Sequence, residues 1–215
     1  MTIVSVKAGT AGEISGRAEI RRIELSDGTL FSFKTSYLPS FLSGDSLYAR
    51  GSAEGRELSD GEAEALRFAA ACLRAERAAL RLIARAEQSY SGLTRKLKRG
   101  GHENPCIRAV LGHLSELGVV NDGRFAEFWL ISRLSMRTGS PRALLSSLRN
   151  RGIAGGDAEA ALKKVLDADA ELALLERYAE KNNLTEQGEW SFICSKLKFE
   201  GFSPAVIQRF REERE

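Results

Sequence analysis

The sequence predicts a mainly α-helical protein, an elongated array of three tandem three-helix repeats with a small N-terminal β-hairpin extension. Three observations predict this fold class. Apolar and polar residues alternate, as in a half-buried strand, only near the start of the 215-residue chain. After Asp60 the apolar residues recur every three or four positions, as on one face of a helix. A Leu-Gly motif then recurs at intervals of 51 and 49 residues, as in stacked helical repeats.

Residues 14–48 have the pattern of strand and turn. Asp27-Gly28 forms the predicted hairpin turn, because glycine adopts positive φ without strain and aspartate tolerates it better than most residues. Residues 52–60 are polar and are predicted to be a linker. The alternating apolar residues are Ile23 and Leu25 before the turn, and Phe31 and Phe33 after it.

Downstream of Asp60, apolar residues form stripes that we expect to face the core. Cysteines on or beside such stripes are expected to be small buried hydrophobic residues and not reactive thiols. The stripes are Leu66, Ala69, Ala70, Leu73, Leu80, Ile83 and Ala84; Ile107, Val110, Leu111 and Leu114; Phe125, Phe128 and Trp129; and Trp190, Ile193, Cys194 and Leu197.

The helical part of the chain contains an internal repeat. Three short helices each carry a leucine that is followed four residues later by a glycine, and these pairs are Leu97 and Gly101, Leu148 and Gly152, and Leu197 and Gly201. The glycine stands just after the helix end, where left-handed backbone is favoured. A second helix follows each turn, with Ile107, Ala158 or Ile207 ten residues past the leucine. We expect a β-rich extension at 1–55 and repeats at 61–118, 119–166 and 167–215.

The charge of the chain is unevenly distributed. Residues 74–151 hold 15 basic and 6 acidic side chains, whereas the flanking blocks hold 8 basic with 10 acidic and 9 basic with 13 acidic. Such a surplus attracts polyanions or acidic protein surfaces. The predicted second helices offer few residues that read base edges, so we expect contacts to phosphates or to an acidic protein groove. The candidate binding residues are Arg95, Lys96, Lys98, Arg99, Arg133, Arg137, Arg142, Arg149 and Arg151.

The chain offers few residues for catalysis or metal binding. It has three widely separated cysteines and two histidines, so we expect neither a metal site nor a cofactor. The letters Gly-Asp-Ser-Leu at residues 44–47 match the start of an esterase motif with Ser46 as the nucleophile, but neither histidine follows an aspartate by three residues. A turn explains these letters better than catalysis. We therefore expect no enzyme.

Membrane attachment and secretion are not predicted either. No run of 18 apolar residues and no secretory leader pattern occurs in the sequence. The expected protein is a cytoplasmic monomer that does not enter a membrane.

Three stretches resemble the RecX regulatory proteins, a family of small helical modulators of the RecA recombinase. Residues 117–129 resemble the family's central pattern of a glycine, a hydrophobic pair, Asn-Asp, Phe-Ala and an aromatic residue. Residues 137–153 resemble the stretch that follows it, and residues 84–97 resemble the opening of the first repeat. Gly92 departs from the family, which commonly has an acidic residue there.

Within the central pattern, Asn121 and Asp122 are predicted to cap the helix that begins near Arg124, because their side chains accept hydrogen bonds from free N–H groups. A ligand contact at Asp122 is the alternative. Capping explains both residues, so neither is taken as a site residue.

The resemblance implies a non-catalytic protein that binds the RecA nucleoprotein filament in its helical groove. There it would modulate, in the direction of inhibition, filament extension, ATP turnover, strand exchange and the co-protease activity of the filament. Single-stranded DNA inside the filament is a second candidate partner. The alternative is a nonspecific DNA-binding helical module without a recombinase partner, since both functions predict salt-sensitive association.

Overall fold

The structure is a computed structural model that describes residues 1–8, 20–39, 42, 53–136, 139–184 and 189–214. The chain divides into two compact units. Unit 1 comprises Met1–Ala86 and Leu93–Val119, and unit 2 comprises Glu87–Gly92 and Val120–Glu215. Over the described ranges, no helix combines the length and the apolar character needed to cross a membrane.

Unit 1 begins with a three-stranded antiparallel sheet in the order β1-β2-β3. The strands are β1 (Ile3–Ala8), β2 (Ile20–Leu25) and β3 (Leu30–Lys34). The β2–β3 pairing confirms the predicted hairpin. In its turn Gly28 has a φ of +81°, and the Asp27 carboxylate accepts a hydrogen bond from Thr29 N–H at 2.9 Å. That bond holds the pKa of Asp27 below its ordinary value.

Strand β1 and its partners differ from the sequence prediction. The sequence does not reveal β1, because the register of this strand shifts between Ile3 and Ser5 and leaves the buried Ile3 and Val6 three residues apart instead of two. The predicted linker is also wrong over residues 53–58. This segment runs beside β1, where Ile3 N–H donates to Arg56 O at 2.9 Å. Hydrogen bonds to the edge strand thus hold this segment in place, although its polar composition is typical of a linker.

Nine helices follow within the described ranges, in three sets of a longer helix and two short ones, which confirms the mainly α-helical fold. They are α1 (Asp60–Ile83), α2 (Tyr90–Arg99), α3 (Asn104–Glu116), α4 (Asp122–Met136), α5 (Pro141–Arg149), α6 (Gly155–Val165), α7 (Ala168–Lys181), α8 (Trp190–Phe199) and α9 (Pro204–Glu212). Helix α1 begins with a capping box in which Ser59 and Glu62 satisfy each other's N–H groups. Ile107, Ala158 and Ile207 are buried, as the repeat predicts.

The sheet packs on α1 around a buried ion pair. The Glu76 carboxylate, 1% exposed, accepts hydrogen bonds from Lys34 Nζ at the end of β3 and from the Tyr37 hydroxyl, the latter at 3.1 Å. Burial, and then the adjacent Glu76 charge, raises the pKa of Tyr37 far above its ordinary value, so this hydroxyl stays protonated and donates. The buried side of α1 is rich in small residues, namely Ala63, Ala65, Ala69, Ala70, Cys72, Ala75 and Ala79.

The three short leucine-bearing helices end in the same way. In each, the residue after the glycine donates its N–H to the carbonyl oxygen of the repeat leucine at 3.2 Å, in the pairs His102 and Leu97, Ile153 and Leu148, and Phe202 and Leu197. The glycines Gly101, Gly152 and Gly201 have φ values of +82°, +85° and +88°. This is the Schellman geometry, in which left-handed glycine closes a helix C-terminus. It confirms the prediction that these glycines end the short helices.

Within unit 2, the glycine turn of a repeat contacts the start of the short helix that belongs to the preceding repeat. A Cβ atom added to Gly152 would lie 2.4 Å from the Ser91 side chain in the first turn of α2. Gly201 lies in the same way against Arg142 at the start of α5, and Arg142 N–H donates to Glu200 O at 3.0 Å. The same junction thus occurs twice, as expected where each repeat packs on its neighbour.

The two capping residues predicted before α4 have different roles. Asn121 caps this helix, since its Oδ1 accepts a hydrogen bond from Arg124 N–H at 2.8 Å. The predicted cap at Asp122 is wrong, because its carboxylate accepts from Tyr90 N–H at 2.7 Å, at the start of α2. An ion pair of 2.8 Å between Arg124 Nε and Glu87 lies beside it. Both contacts hold residues 87–92 within unit 2.

The core stripe predicted on α4 is partly wrong. Phe128 is 58% exposed, whereas Ala126 and Leu130 are fully buried and Phe125 and Trp129 are half-buried. The small Ala126 side chain suits the side of α4 that packs inward, and this rotation turns Phe128 to the surface. Five further residues of the predicted stripes are not fully buried, namely Leu80, Ile83, Ala84, Trp190 and Cys194.

Replacing Glu76 by glutamine is expected to lower the free energy of unfolding by about 3 kcal/mol, because the buried Lys34 ammonium loses the carboxylate that faces it. Urea denaturation followed by circular dichroism measures this loss. Glu159→Gln is the matched control, since Glu159 pairs with Arg149 in an exposed position where a lost pair costs less than about 1 kcal/mol. Equal losses in the two variants would contradict the structural role of Glu76.

Alanine at Gly152 is expected to destabilise the protein by about 2 kcal/mol more than alanine at Gly101. Both substitutions force left-handed backbone on a residue with a Cβ atom. Only Gly152 would also overlap a neighbour, Ser91, whereas Gly101 has no atom within 4 Å of such a Cβ, and overpacking costs about 1–3 kcal/mol. Urea midpoints of both variants test this, and Ser91→Gly should recover part of the Gly152→Ala loss. No difference between the two glycines would refute the close junction.

Candidate functional site

The four basic residues predicted on the first short helix are all on the exposed part of α2. Leu93 and Leu97 take its buried side, and at 100° per residue Arg95, Lys98 and Arg99 fall on the opposite side. These three side chains form no ion pair with another described residue. Their charges therefore face solvent, where part of their effect is to complement the carbonyl end of the helix.

A groove of about 190 Å³ lies between α2 and the C-terminal half of α1. Three cations line it, Lys96 from α2, Arg81 from α1 and Arg85 from the turn just after α1. The remaining lining residues are Ala78, Leu82, Leu97, Gly100 and His102, so none of the residues that line the groove is acidic. We call this feature the α1–α2 groove. Cations from two helices converge in it, which favours binding of a phosphate or carboxylate group.

Arg81 and Arg85 are not among the site residues predicted from the sequence. The signal is present, since Arg74, Arg81 and Arg85 follow each other at intervals of seven and four residues, and this spacing places them on one face of a helix. Arg74 lines a second cavity of about 250 Å³, which shares His102 with the α1–α2 groove. The pairing of this face with α2 is a tertiary contact that the spacing alone does not reveal.

The thiols near this surface are not reactive. Cys72 and Cys106 are buried, and burial raises the pKa of both thiols above its ordinary value. Thiols held protonated in this way are poor nucleophiles. The structural role predicted for Cys106 is confirmed.

The four predicted arginines of unit 2 that the structure describes already have partners. Arg133 and Arg151 both lie over the ring of Trp129, at 5.8 and 4.6 Å from its centroid. Guanidinium groups in this position stabilise the aromatic ring that they cover. The remaining contacts join Arg149 to Glu159 at 3.1 Å and Arg142 to the ring centroid of Phe199 at 4.0 Å. The α2 residues and the α1–α2 groove are therefore the better candidates for a large anionic partner.

Two predictions fall outside the residues that the structure describes. They concern the candidate binding residue Arg137 and the turn with the letters Gly-Asp-Ser-Leu that contains Ser46. Both stay predictions. Among the described residues, no three His, Cys, Asp or Glu side chains are grouped as metal ligands.

Comparison with known proteins identifies the family. A family model described as "RecX, second three-helix domain" matches residues 121–162, which run from the cap of α4 into α6. Regulatory protein RecX of Treponema pallidum (strain Nichols) is 34% identical over 155 residues, which cover 72% of this chain and 94% of that protein. The chain belongs to the RecX family of regulatory proteins. This confirms the resemblance found in the sequence.

Further members of the RecX family extend the likeness. Regulatory protein RecX of Halorhodospira halophila (strain DSM 244 / SL1) is 43% identical over 79 residues, or 37% of this chain and 48% of that one. A crystal structure of regulatory protein RecX matches with a TM-score of 0.67 at 20% identity, covering 98% of both chains. The crystal structure of RecX from Lactobacillus salivarius matches with a TM-score of 0.52 at 21% identity, covering 66% of this chain and 96% of that one. At these identities the two structures show a shared fold.

Arg81→Gln/Arg85→Gln is expected to weaken binding of a thymidine oligonucleotide and to lower the slope of log affinity against log salt by about 1.4. Each phosphate contact to a single strand contributes about 0.7 to that slope. Fluorescence anisotropy over a series of salt concentrations measures both quantities. The control is Lys164→Gln/Arg209→Gln, which removes two exposed cations that already pair with Glu127 and Asp169. An equal change of slope in the control would argue against a specific role of the α1–α2 groove.

Proposed function

We propose that this protein is a non-catalytic regulator that binds the RecA nucleoprotein filament in its helical groove. By occupying the groove it modulates, in the direction of inhibition, filament extension, ATP turnover, strand exchange and co-protease activity. Membership of the RecX family supports a regulatory role. The observation that carries the proposal is the set of cations on α2 and in the α1–α2 groove. The α2 cations are exposed, and no acidic residue lines the groove.

The chemistry of these side chains fits both components of such a filament. Guanidinium and ammonium groups bind the carboxylates of a protein surface and the phosphates of a DNA backbone. Arg95, Lys98 and Arg99 are exposed on one side of a single helix, so they can contact a partner without rearrangement of the core. An exposed pair contributes little alone, and several together give an affinity that depends strongly on salt.

The repeated build of the chain supports a polymeric partner. Each set of three helices ends its first short helix with the same glycine turn. Tandem modules of one kind can contact several copies of a repeating partner at once, and linked contacts bind far more tightly than isolated ones. Occupancy of neighbouring protomers would then hinder changes that the filament must undergo, with no chemical step performed by the regulator.

A nonspecific DNA-binding module is the second candidate function, since the same cations fit bare phosphates. A pull-down separates the two functions. The protein is incubated at equal salt with single-stranded DNA coated by RecA and with the same DNA uncoated. Preference for the coated strand supports the RecA filament as the partner, and equal or weaker retention there would leave only the DNA-binding function.

Lys98→Gln/Arg99→Gln is expected to raise the concentration needed for half-maximal inhibition of the DNA-dependent RecA ATPase about fivefold, because two exposed charge contacts contribute on the order of 1 kcal/mol together. Steady-state ATP hydrolysis on single-stranded DNA measures this. The control, Lys163→Gln/Lys181→Gln, removes two exposed cations that also lie in the last turn of their helices, so the effect on helix ends is matched. Unaltered inhibition in the first variant would move the contact to another face.

A further inference from the structure

The exposed side of α8 in unit 2 carries two phenylalanines that the core does not use. Phe192 is 59% exposed and Phe199 is 65% exposed, more than any other phenylalanine of the described residues. They are seven residues apart on one helix, which puts both rings on the same face at about 10 Å along the axis. Ser195 lies exposed between them. Large exposed rings of this kind mark a binding surface more often than an isolated apolar residue does.

Cations flank the two rings on both sides. The guanidinium of Arg142 lies over Phe199 at 4.0 Å from the ring centroid. On the other side, exposed Lys198 lines a cavity of about 530 Å³ together with Arg211 and Glu212 of α9. None of the exposed residues of α8 is acidic, although exposed Glu189 precedes the helix and Glu200, whose carboxylate accepts a hydrogen bond from Ser140, follows it. The surface therefore has aromatic rings in the middle, with cations from α5, α8 and α9 beside them and a carboxylate at each end of the helix.

This pattern differs from an apolar docking face for a protein helix. On α4, Phe128 and Ile131 are exposed three residues apart and form adjoining apolar surface. On α8 a hydroxyl group separates the rings, so each ring is an isolated flat surface beside positive charge. Aromatic faces of this kind stack on nucleobases, while the neighbouring cations bind the phosphates between them.

We propose that the exposed side of α8, with Phe192 and Phe199, is a stacking platform for unpaired bases of single-stranded nucleic acid. The two residues are about 10 Å apart along the helix axis, so each ring can take a separate base. Arg142 and Lys198 bind the intervening phosphates. Because a duplex keeps its bases stacked on each other, the platform favours single strands. It lies in unit 2, whereas the α1–α2 groove lies in unit 1, and it does not depend on RecA.

The test uses two twelve-residue oligonucleotides with the same number of phosphates, one of thymidine and one of abasic sites. The unaltered 215-residue chain should bind the thymidine strand about tenfold more tightly or better, since stacking favours each base by about 1–3 kcal/mol. Phe192→Leu/Phe199→Leu should lose this preference and keep the affinity for the abasic strand and its salt dependence. Leucine is a good helix former, and circular dichroism with urea denaturation verifies that the variant is folded.

Phe128→Leu is the matched control, because it removes an exposed phenylalanine of the same unit from another helix. Its preference for bases should equal that of the unaltered protein. Equal binding of the two oligonucleotides by the unaltered protein, retention of the preference in the double variant, or loss of it in the control would each overturn the platform. A double variant that loses only its association with RecA-coated strands would assign the rings to a protein contact and also overturn it. The pull-down with RecA-coated DNA tests the proposed function, and the two oligonucleotides test the platform without RecA. Failure of one proposal is therefore distinguishable from failure of the other.

Discussion

The fold depends on one backbone constraint, which is that each short leucine-bearing helix must stop after about three turns and reverse. Each helix is closed by an N–H donated to the carbonyl of Leu97, Leu148 or Leu197 and by the N–H of the glycine itself, and a φ between +82° and +88° at that glycine makes both bonds possible. Because the closing bonds fix where the next helix starts, Ile107, Ala158 and Ile207 all arrive in the core. What recurs along the chain is therefore mainly the geometry of the turn, because the residues around the glycines differ widely.

What the sequence predicts and what it misses follow from the range of the interaction involved. The helical repeat is predictable because leucine burial and left-handed glycine are properties of a few neighbouring residues. Strand β1 is not, because its irregular register gives Ile3 and Val6 no simple period. The surface position of Phe128 is not predictable either, because the inward side of α4 is chosen by the space that its neighbours leave. In each case a tertiary contact overrides a sound local expectation.

The candidate site divides in the same way. Surplus positive charge and its location on α2 are readable from composition and spacing, and the exposed Arg95, Lys98 and Arg99 agree with that reading. Sequence does not tell a cation that faces solvent from one that covers an aromatic ring, as Arg151 does at Trp129. Nor does it reveal that Arg81 and Lys96 line one groove. A list of basic residues thus does not show which cations face solvent and which are covered by other side chains.

The buried contact of Lys34 with Glu76 makes the N-terminal sheet an integral part of its unit. In a chain shortened to start at α1, the Glu76 carboxylate would lose its partners Lys34 and Tyr37. The alanines on the buried side of α1 would be too small to cover the core by themselves. Relatives that begin directly with the helices are therefore expected to carry an uncharged residue in place of Glu76 and bulkier side chains in place of several α1 alanines. Gain or loss of the sheet during evolution would then require coordinated replacement along one helix face, and not the simple addition of a module.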